Sequence, residues 1–179
     1  LKTVKNLKRP ALLTRIPNRD GTVTRLLDVG ANVDSDAEQL SQFAVMGHVA
    51  AKYAGGIESP TVGLLNIGSE DIKGNLAIKS ASDRLKKIDV LNYIGFVESG
   101  DIFTGNVDVV ATDGFAGNIC LKSMEGTASF FAFLLKKSFK ANLINRLLAV
   151  FCLPVLKTFK TQMDPRKYNG ASFLGLRGV

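Results

Sequence analysis

Residues 107–122 have the sequence VDVVATDGFAGNICLK, and this stretch decides the fold. An apolar run over residues 107–111 stops at the polar turn 112–114, and Gly117 then precedes an apolar segment with helical spacing. This order is typical of a buried strand whose carboxyl end leads into a helix. Glycines in such a turn let a ligand approach the backbone, and the free N–H groups at the start of a helix favour an anion. Taken alone, the stretch is equally compatible with an ordinary turn between a strand and a helix.

The same order of apolar strand and polar turn occurs twice more in the chain. Residues 26–34 have the sequence LLDVGANVD, residues 62–75 have the sequence VGLLNIGSEDIKGN, and a helical pattern follows each. The alternation of strands and helices predicts an α/β fold with a doubly wound, largely parallel sheet in α/β/α layers. In such a sheet ligands bind outside the carboxyl ends of the strands, so we expect the three turns to form one site.

Composition places the chain among globular proteins. Of its 179 residues, 46% are hydrophobic and 22% are charged, enough for one sizeable core or for one domain with an appendage. The net charge is +7, and residues 136–167 contain eight of the basic residues against one acid. The lysines near the amino terminus are not interleaved with aromatic residues, so no nucleic-acid partner is expected.

Residues for metal binding or covalent catalysis are scarce. His48 is the only histidine, and Cys120 and Cys152 are the only cysteines, without metal-ligand spacing. We therefore expect no metal site, no Ser-His-Asp triad and no Cys/His pair, and we interpret the cysteines as reduced thiols of a cytoplasmic protein. No signal peptide is recognisable, and no apolar run reaches the roughly 18 residues of a membrane-spanning helix.

The segment from residue 130 onward is more apolar than the rest. We divide the chain into an α/β domain (1–129), an apolar, basic helical hairpin (130–165) and a return to the α/β domain (166–179). Residues 143–156 are apolar on nearly all sides, flanked by lysines, and expected to break at Pro154. Such a helix is either buried in the core or a dimer interface, or lies in a membrane interface. The residues predicted to enter the interface are Leu147, Leu148, Phe151 and Leu153.

The chain as a whole resembles a known family, the phosphate acyltransferases of bacterial phospholipid synthesis (PlsX family). The resemblance rests on five ordered stretches: RPAL (9–12), LLDVGANVD (26–34), VGLLNIGSEDIKGN (62–75), FVESGDIFTGNVDVVATDGFAGNICLKSMEG (96–126) and GASFLGLRGV (170–179). It covers essentially the whole chain. The glycine-rich amino-terminal portion of the family and its carboxyl-terminal tail are missing, so we expect the chain to be a fragment.

The resemblance implies an enzyme that converts acyl-[acyl carrier protein] and orthophosphate into acyl phosphate and free carrier protein. It also implies a fold like that of the isocitrate and isopropylmalate dehydrogenases, a homodimer, and no cofactor. Peripheral contact with an anionic membrane is implied as well, with the glycerol-3-phosphate acyltransferase as a further candidate partner.

The residues present suit this chemistry. A thiol with a pKa of about 8.5 leaves without a strong general acid, and phosphate is already an anionic nucleophile near neutral pH. The protein must then hold two substrates in line and stabilise an oxyanion. We predict that Lys73 holds phosphate or the oxyanion and that Asn118, at the start of a helix, donates its amide, supported by the backbone N–H groups of residues 114–117. The predicted substrate-binding residues are Asn32, Asn66, Gly68, Asn75, Asp113, Gly114 and Gly117. The structural alternatives are a solvated surface lysine and asparagines that only satisfy turn backbones.

Three other functions remain open on the sequence. Two are a coenzyme A phosphotransacetylase and a nicotinamide-dependent dehydrogenase on a related fold, although residues 114–118 lack the six-residue dinucleotide fingerprint. The third is a membrane-associated scaffold without catalytic activity. Thermal shift with phosphate, NAD, coenzyme A and acyl carrier protein distinguishes them, because only a ligand that binds the native state stabilises it.

Overall fold

The computed structural model describes residues 2–162 and 171–177. The strands in these ranges are β1 (Ala11–Pro17), β2 (Val23–Leu27), β3 (Thr61–Leu65), β4 (Asn92–Val97), β5 (Val109–Ala111) and β6 (Ser172–Leu174). The α-helices are α1 (Ala37–Val49), α2 (Leu76–Leu85), α3 (Gly114–Phe139) and α4 (Leu143–Gln162), with a π-helical turn at Ala50–Ala54 and a 3-10 turn at Asp101–Phe103. The described residues form two compact units, 2–119 with 171–177 and 120–162.

The first unit is built on a six-stranded sheet with the order β4-β3-β5-β2-β1-β6. β2 and β3 each pair with β5 in parallel, β3 also pairs with β4 in parallel, and β1 is antiparallel to both β2 and β6. The expected mixed α/β fold with a largely parallel sheet is therefore confirmed. Because β2, β3, β4 and β5 share one direction, their carboxyl ends lie at the same edge of the sheet.

The central strand β5 is short and fully buried. Val109, Val110 and Ala111 have no exposed surface, as expected for a strand of a parallel sheet covered on both faces. Ala111 is in register with Leu27 of β2 on one side and with Leu64 of β3 on the other. The turn after β5 therefore lies between the loops that follow β2 and β3.

Helices α1 and α2 cover one face of the sheet. α1 begins with a capping box in which the Asp36 carboxylate accepts the Gln39 N–H at 2.8 Å and the Gln39 side chain accepts the Asp36 N–H at 2.9 Å. Phe43 of α1 and Leu85 of α2 are fully buried in a cluster with apolar residues of β1, β2, β3 and β5. This packing holds the strand ends, and the loops that leave them, in fixed positions.

The second unit contains the distal part of α3 and all of α4. Pro154 lies inside α4, which continues to Gln162, so the break expected at this proline is wrong. Proline removes one backbone hydrogen bond of the helix, and the bonds on either side maintain it here. Leu147 is 62% exposed and Phe151 is 74% exposed, and Leu148 and Leu153 are exposed as well. Within the described ranges, no helix is long and apolar enough to cross a membrane.

Candidate functional site

Three loops meet at the carboxyl edge of the parallel strands. We call residues 28–36, after β2, the first loop; residues 66–75, after β3, the second loop; and residues 112–113, which lead from β5 into α3, the third loop. The strand order places the third loop between the other two. The sequence prediction that the three turns share one edge of the sheet is confirmed by this order.

The first loop is organised by Asp28, whose side chain is completely buried. Its carboxylate accepts hydrogen bonds from the backbone N–H groups of Leu12 (2.9 Å), Gly30 (3.3 Å), Ala31 (3.0 Å) and Asn32 (2.7 Å). A buried charge requires such donors to replace water. Asp28 was not among the predicted site residues, although an aspartate directly after an apolar strand and two residues before a glycine is a signal for a turn held by its side chain.

Asn32 completes this network. Its side-chain amino group donates to the Asp28 carboxylate and to the Pro10 carbonyl, both at 2.8 Å, and the residue is buried. Both amide hydrogens are therefore used inside the protein. Asn32 thus holds the first loop together, and its predicted contact with substrate stays a prediction that only its side-chain oxygen could fulfil.

Gly114 and Gly117 allow the third loop and α3 to pack against the first loop. A Cβ atom at Gly114 would overlap the Asn32 carbonyl oxygen, and one at Gly117 would overlap the Asp28 carbonyl oxygen and lie 2.8 Å from Thr112 Cγ2. The Gly114 N–H also donates to the Asn32 carbonyl at 2.7 Å. These glycines are therefore explained by the approach of protein backbone, whereas the sequence had suggested the approach of a ligand.

The amino terminus of α3 is largely satisfied by the protein. The Asp113 carboxylate accepts the Ala116 N–H at 2.7 Å, and the Asp113 carbonyl accepts the Gly117 N–H at 3.0 Å. Of the first four N–H groups of α3, only that of Phe115 has no partner in the part of the chain that the structure describes. Three of the four predicted backbone donors of residues 114–117 are therefore used inside the protein, and a role for the Phe115 N–H toward an anion stays a prediction. The Asp113 side chain thus acts as the N-terminal cap of α3.

Asn118 lies one turn further into α3 than predicted, because the helix already begins at Gly114. Its side chain is exposed and has no hydrogen-bond partner among residues 2–162 and 171–177. A Cβ atom at Gly30 would lie 3.7 Å from Asn118 Cγ, so the amide stands directly beside the first loop. It is a free amide at the junction of the first loop and α3.

Two asparagines hold the shape of the second loop. Asn66 is buried, and its side-chain amino group donates to the Lys73 carbonyl at 3.2 Å. Asn75 caps α2, because its side-chain oxygen accepts the Ile78 N–H at 2.9 Å. Gly74, between them, has a φ of +91°, and a Cβ atom there would clash with the Asn66 amide. Both asparagines therefore position Lys73 through the backbone of the loop.

Lys73 is a partly exposed cation on the second loop. Its Nζ lies 2.9 Å from Glu70 Oε1, and both side chains are about half exposed. The hydrogen bond to Glu70, its charge, and the charge of Glu98 raise the pKa of Lys73, and the bond to Lys73 lowers the pKa of Glu70. Lys73 is consequently a cation near neutral pH. Sequence analysis missed both acids, although the spacing of Glu70 three residues before Lys73 is a signal for an ion pair.

Exposed apolar side chains lie on the same loops and helix starts. We call them the apolar rim; their exposed fractions run from 50% to 83%, and they are Val33, Ile67, Ile72, Leu76, Phe115 and Ile119. The edge of the sheet therefore combines a cation and a free amide with apolar surface. Such a combination can bind a molecule that has both an anionic and an apolar part.

Comparison with known proteins identifies a family. The family described as "Fatty acid synthesis protein" matches residues 1–179. Two relatives are named "Phosphate acyltransferase", one from Vesicomyosocius okutanii subsp. Calyptogena okutanii and one from Hydrogenovibrio crunogenus, and the chain is 51% identical to each over 179 residues. The aligned region covers 52% of the length of the first relative and 53% of the second. All of this chain is matched in both cases, and it spans about half the length of these curated relatives.

Solved structures show similarity in fold. The chain resembles a phosphotransacetylase from Streptococcus pyogenes with a TM-score of 0.58 and 17% sequence identity, over 72% of this chain and 45% of that one. A branched-chain phosphotransacylase from Enterococcus faecalis gives a TM-score of 0.53 at 14% identity, over 65% of this chain and 49% of that one. At these identities the similarity concerns the fold alone.

Proposed function

Because the chain belongs to the family of fatty acid synthesis proteins, we propose that the complete protein is a phosphate acyltransferase. It moves a fatty acyl group from acyl-[acyl carrier protein] to orthophosphate, and the acyl phosphate serves bacterial phospholipid synthesis. The relatives that are 51% identical to this chain are named "Phosphate acyltransferase", which supports this function. The observation that carries it in the structure is the position of Lys73 on a loop that also bears exposed apolar residues.

The chemistry needs a bound phosphate and a stabilised oxyanion. A phosphate oxygen attacks the thioester carbonyl carbon, and the tetrahedral intermediate collapses by expelling the thiolate of the carrier. Lys73 holds the phosphate by charge, and the free Asn118 amide donates to the developing oxyanion. The thiolate is a sufficiently good leaving group that no strong acid is required.

The apolar rim supports a fatty acyl substrate. Removal of apolar surface from water is worth about 25 cal/mol per Å², so a long acyl chain and exposed apolar side chains stabilise each other on contact. Gly68, on the second loop, remains assigned to the substrate site because it lies directly beneath the Lys73 side chain. Asn66 and Asn75 take part by positioning that loop.

The wider architecture belongs to the same proposal. The sheet is doubly wound, in α/β/α layers like those of the isocitrate and isopropylmalate dehydrogenases; the parallel pairing of β2, β3, β4 and β5 supports this. The chain divides into an α/β domain (1–129), an apolar helical hairpin (130–165) and a return segment (166–179). Residues 163–170 and 178–179 lie outside the described part of the chain.

The exposed apolar side chains of α4 support two further interactions, one with a second subunit and one with a membrane. The protein forms a homodimer, and it contacts an anionic membrane peripherally from the cytoplasm through Leu147, Leu148, Phe151 and Leu153. Lys136, Lys137, Lys140, Arg146 and Lys157 add positive charge near this surface, at about 1 kcal/mol each next to an anionic leaflet. Delivery at the membrane suits a long-chain acyl phosphate, which the glycerol-3-phosphate acyltransferase then uses.

The function is tested by measuring free thiol released from acyl-[acyl carrier protein] by the complete protein. Thiol release must depend on phosphate and saturate with it. Acyl-coenzyme A as a better donor would favour a phosphotransacetylase, and reduction of NAD by a hydroxy acid would favour a dehydrogenase. A complete, folded protein without phosphate-dependent thiol release contradicts the proposal.

The role of Lys73 is tested in the same assay. We expect Lys73→Ala to lower kcat/KM by about 100-fold, the scale for loss of one preorganised charge-stabilising group. Lys122→Ala is the matched control, because Lys122 also forms an ion pair with a glutamate three residues away, outside the three loops. A folded Lys73→Ala protein with activity within a few-fold of wild type would show the assignment to be wrong.

A further inference from the structure

The ion pair of Glu70 and Lys73 occupies the surface of Gly68. A Cβ atom at Gly68 would overlap Lys73 Cδ and would lie 2.6 Å from Glu70 Oε2 and 2.8 Å from Lys73 Nζ. The charged ends of Glu70 and Lys73 therefore both lie directly over the backbone of Gly68.

An anion that binds Lys73 comes close to the Glu70 carboxylate. The Lys73 ammonium donates to Glu70 Oε1 at 2.9 Å, and the charge of Glu98 also acts on it. A phosphate close to Lys73 would experience repulsion from both carboxylates, since like charges at a few ångströms disfavour each other. The Glu70 carboxylate takes one of the three N–H donors of the Lys73 ammonium, and a phosphate that approaches from the same side must displace it.

Replacement of the Glu70 carboxylate by phosphate at Lys73 costs little free energy. The Lys73 side chain is 43% exposed and that of Glu70 is 55% exposed, so Glu70 can move into water and be solvated there. Exposed ion pairs contribute little to stability because water and salt screen them. The second loop keeps its shape without the pair, through the Asn66 and Asn75 hydrogen bonds.

We propose that Glu70 is a further residue of the site, which occupies the phosphate position at Lys73 in the free protein and leaves it when phosphate binds. Glu70 thereby sets the affinity for phosphate and keeps the lysine from retaining other anions. This inference rests on the proposed function, since it takes phosphate as the ligand of Lys73. It assigns to Glu70 a role in binding that is separate from the attack on the thioester.

The test is the affinity of the complete protein for inorganic phosphate, measured by isothermal titration calorimetry. We expect Glu70→Gln to lower the Kd for phosphate about two- to fivefold, the range that corresponds to loss of an exposed ion pair. The KM for phosphate should fall by the same factor, and the KM for acyl-[acyl carrier protein] should stay unchanged. Glu125→Gln, which breaks the pair with Lys122 at the same spacing, is the control and should leave both constants unchanged.

A double variant shows whether Glu70 acts through Lys73. In a Lys73→Ala background, Glu70→Gln should no longer tighten phosphate binding, because the donor for which the two anions compete is gone. An unchanged or higher Kd in Glu70→Gln overturns the proposal, as does equal tightening in the presence and absence of Lys73. Failure of the proposed function is distinguishable, since wild-type protein would then release no thiol on addition of phosphate.

Discussion

Replacement of Gly117 by alanine tests the packing on which the candidate site depends. The new methyl group would overlap the Asp28 carbonyl oxygen and would lie 3.0 Å from the Asp28 carbonyl carbon and 2.8 Å from Thr112 Cγ2. Two of these atoms are backbone, and the Asp28 side chain is fixed by hydrogen bonds to the first loop. Neither α3 nor the first loop can yield without breaking those bonds.

The magnitude follows from overpacking. Extra methyl groups in a packed core cost about 1–3 kcal/mol, and a clash with fixed backbone lies at the upper end. Alanine gains about 0.5–1 kcal/mol over glycine in a helix, which offsets only part of this. We therefore expect Gly117→Ala to lower the free energy of unfolding by about 2 kcal/mol net.

Gly126→Ala in the same helix is the matched control. A Cβ atom at Gly126 meets nothing within 4 Å, so only the helix preference remains and this variant should gain about 0.5–1 kcal/mol. Urea unfolding of the complete protein, followed by circular dichroism, measures both changes. If Gly117→Ala is as stable as Gly126→Ala, the close approach of α3 to the first loop is refuted.

Three further predictions concern the buried carboxylate, the thiols and the exposed helix. Asp28→Ala should lower the free energy of unfolding by at least about 3 kcal/mol, because the buried N–H groups of Asn32 and the part-buried N–H groups of Leu12 and Ala31 lose their acceptor. A smaller loss in urea unfolding would contradict this. Joint replacement of Cys120 and Cys152 by alanine should leave thiol release from the carrier protein nearly unchanged. Burial raises the pKa of the Cys120 thiol, which makes it a poor nucleophile. Loss of activity in a folded double variant would contradict this. Leu147→Glu with Phe151→Glu should abolish sedimentation with anionic liposomes and spare turnover, whereas dissociation into monomers would identify a subunit interface.

Much of the fold could be predicted from the sequence because its signals are local. The order of strand, turn and helix around residues 107–122 depends on hydrophobic periodicity within a few residues. The cap of α1 at Asp36 and its partner Gln39 are only three residues apart, so this helix start is also a local feature of the sequence. The largely parallel sheet followed from the alternation of these elements.

The chemistry of the site could be predicted less completely, because an asparagine or a glycine in a turn has the same local pattern whatever it contacts. Asn32 was predicted to bind substrate, and its amide is used by Asp28 and Pro10. Lys73 was predicted to hold phosphate or the oxyanion, and in the structure its ammonium forms an ion pair with Glu70. Only the neighbours in space distinguish these cases, and most of them come from other parts of the chain.

Most strands and helices, the polar turns at the strand ends and the position of Lys73 in one of them could be predicted from sequence, since each depends on residues close together in the chain. The tertiary structure decided that β5 lies between β2 and β3, so that loops far apart in sequence meet at one edge. It also decided that Gly114 and Gly117 face the backbone of Asn32 and Asp28. The physical reason is that a backbone N–H or a space beside a glycine is available to a ligand only if no other part of the chain fills it, and packing between distant segments determines that.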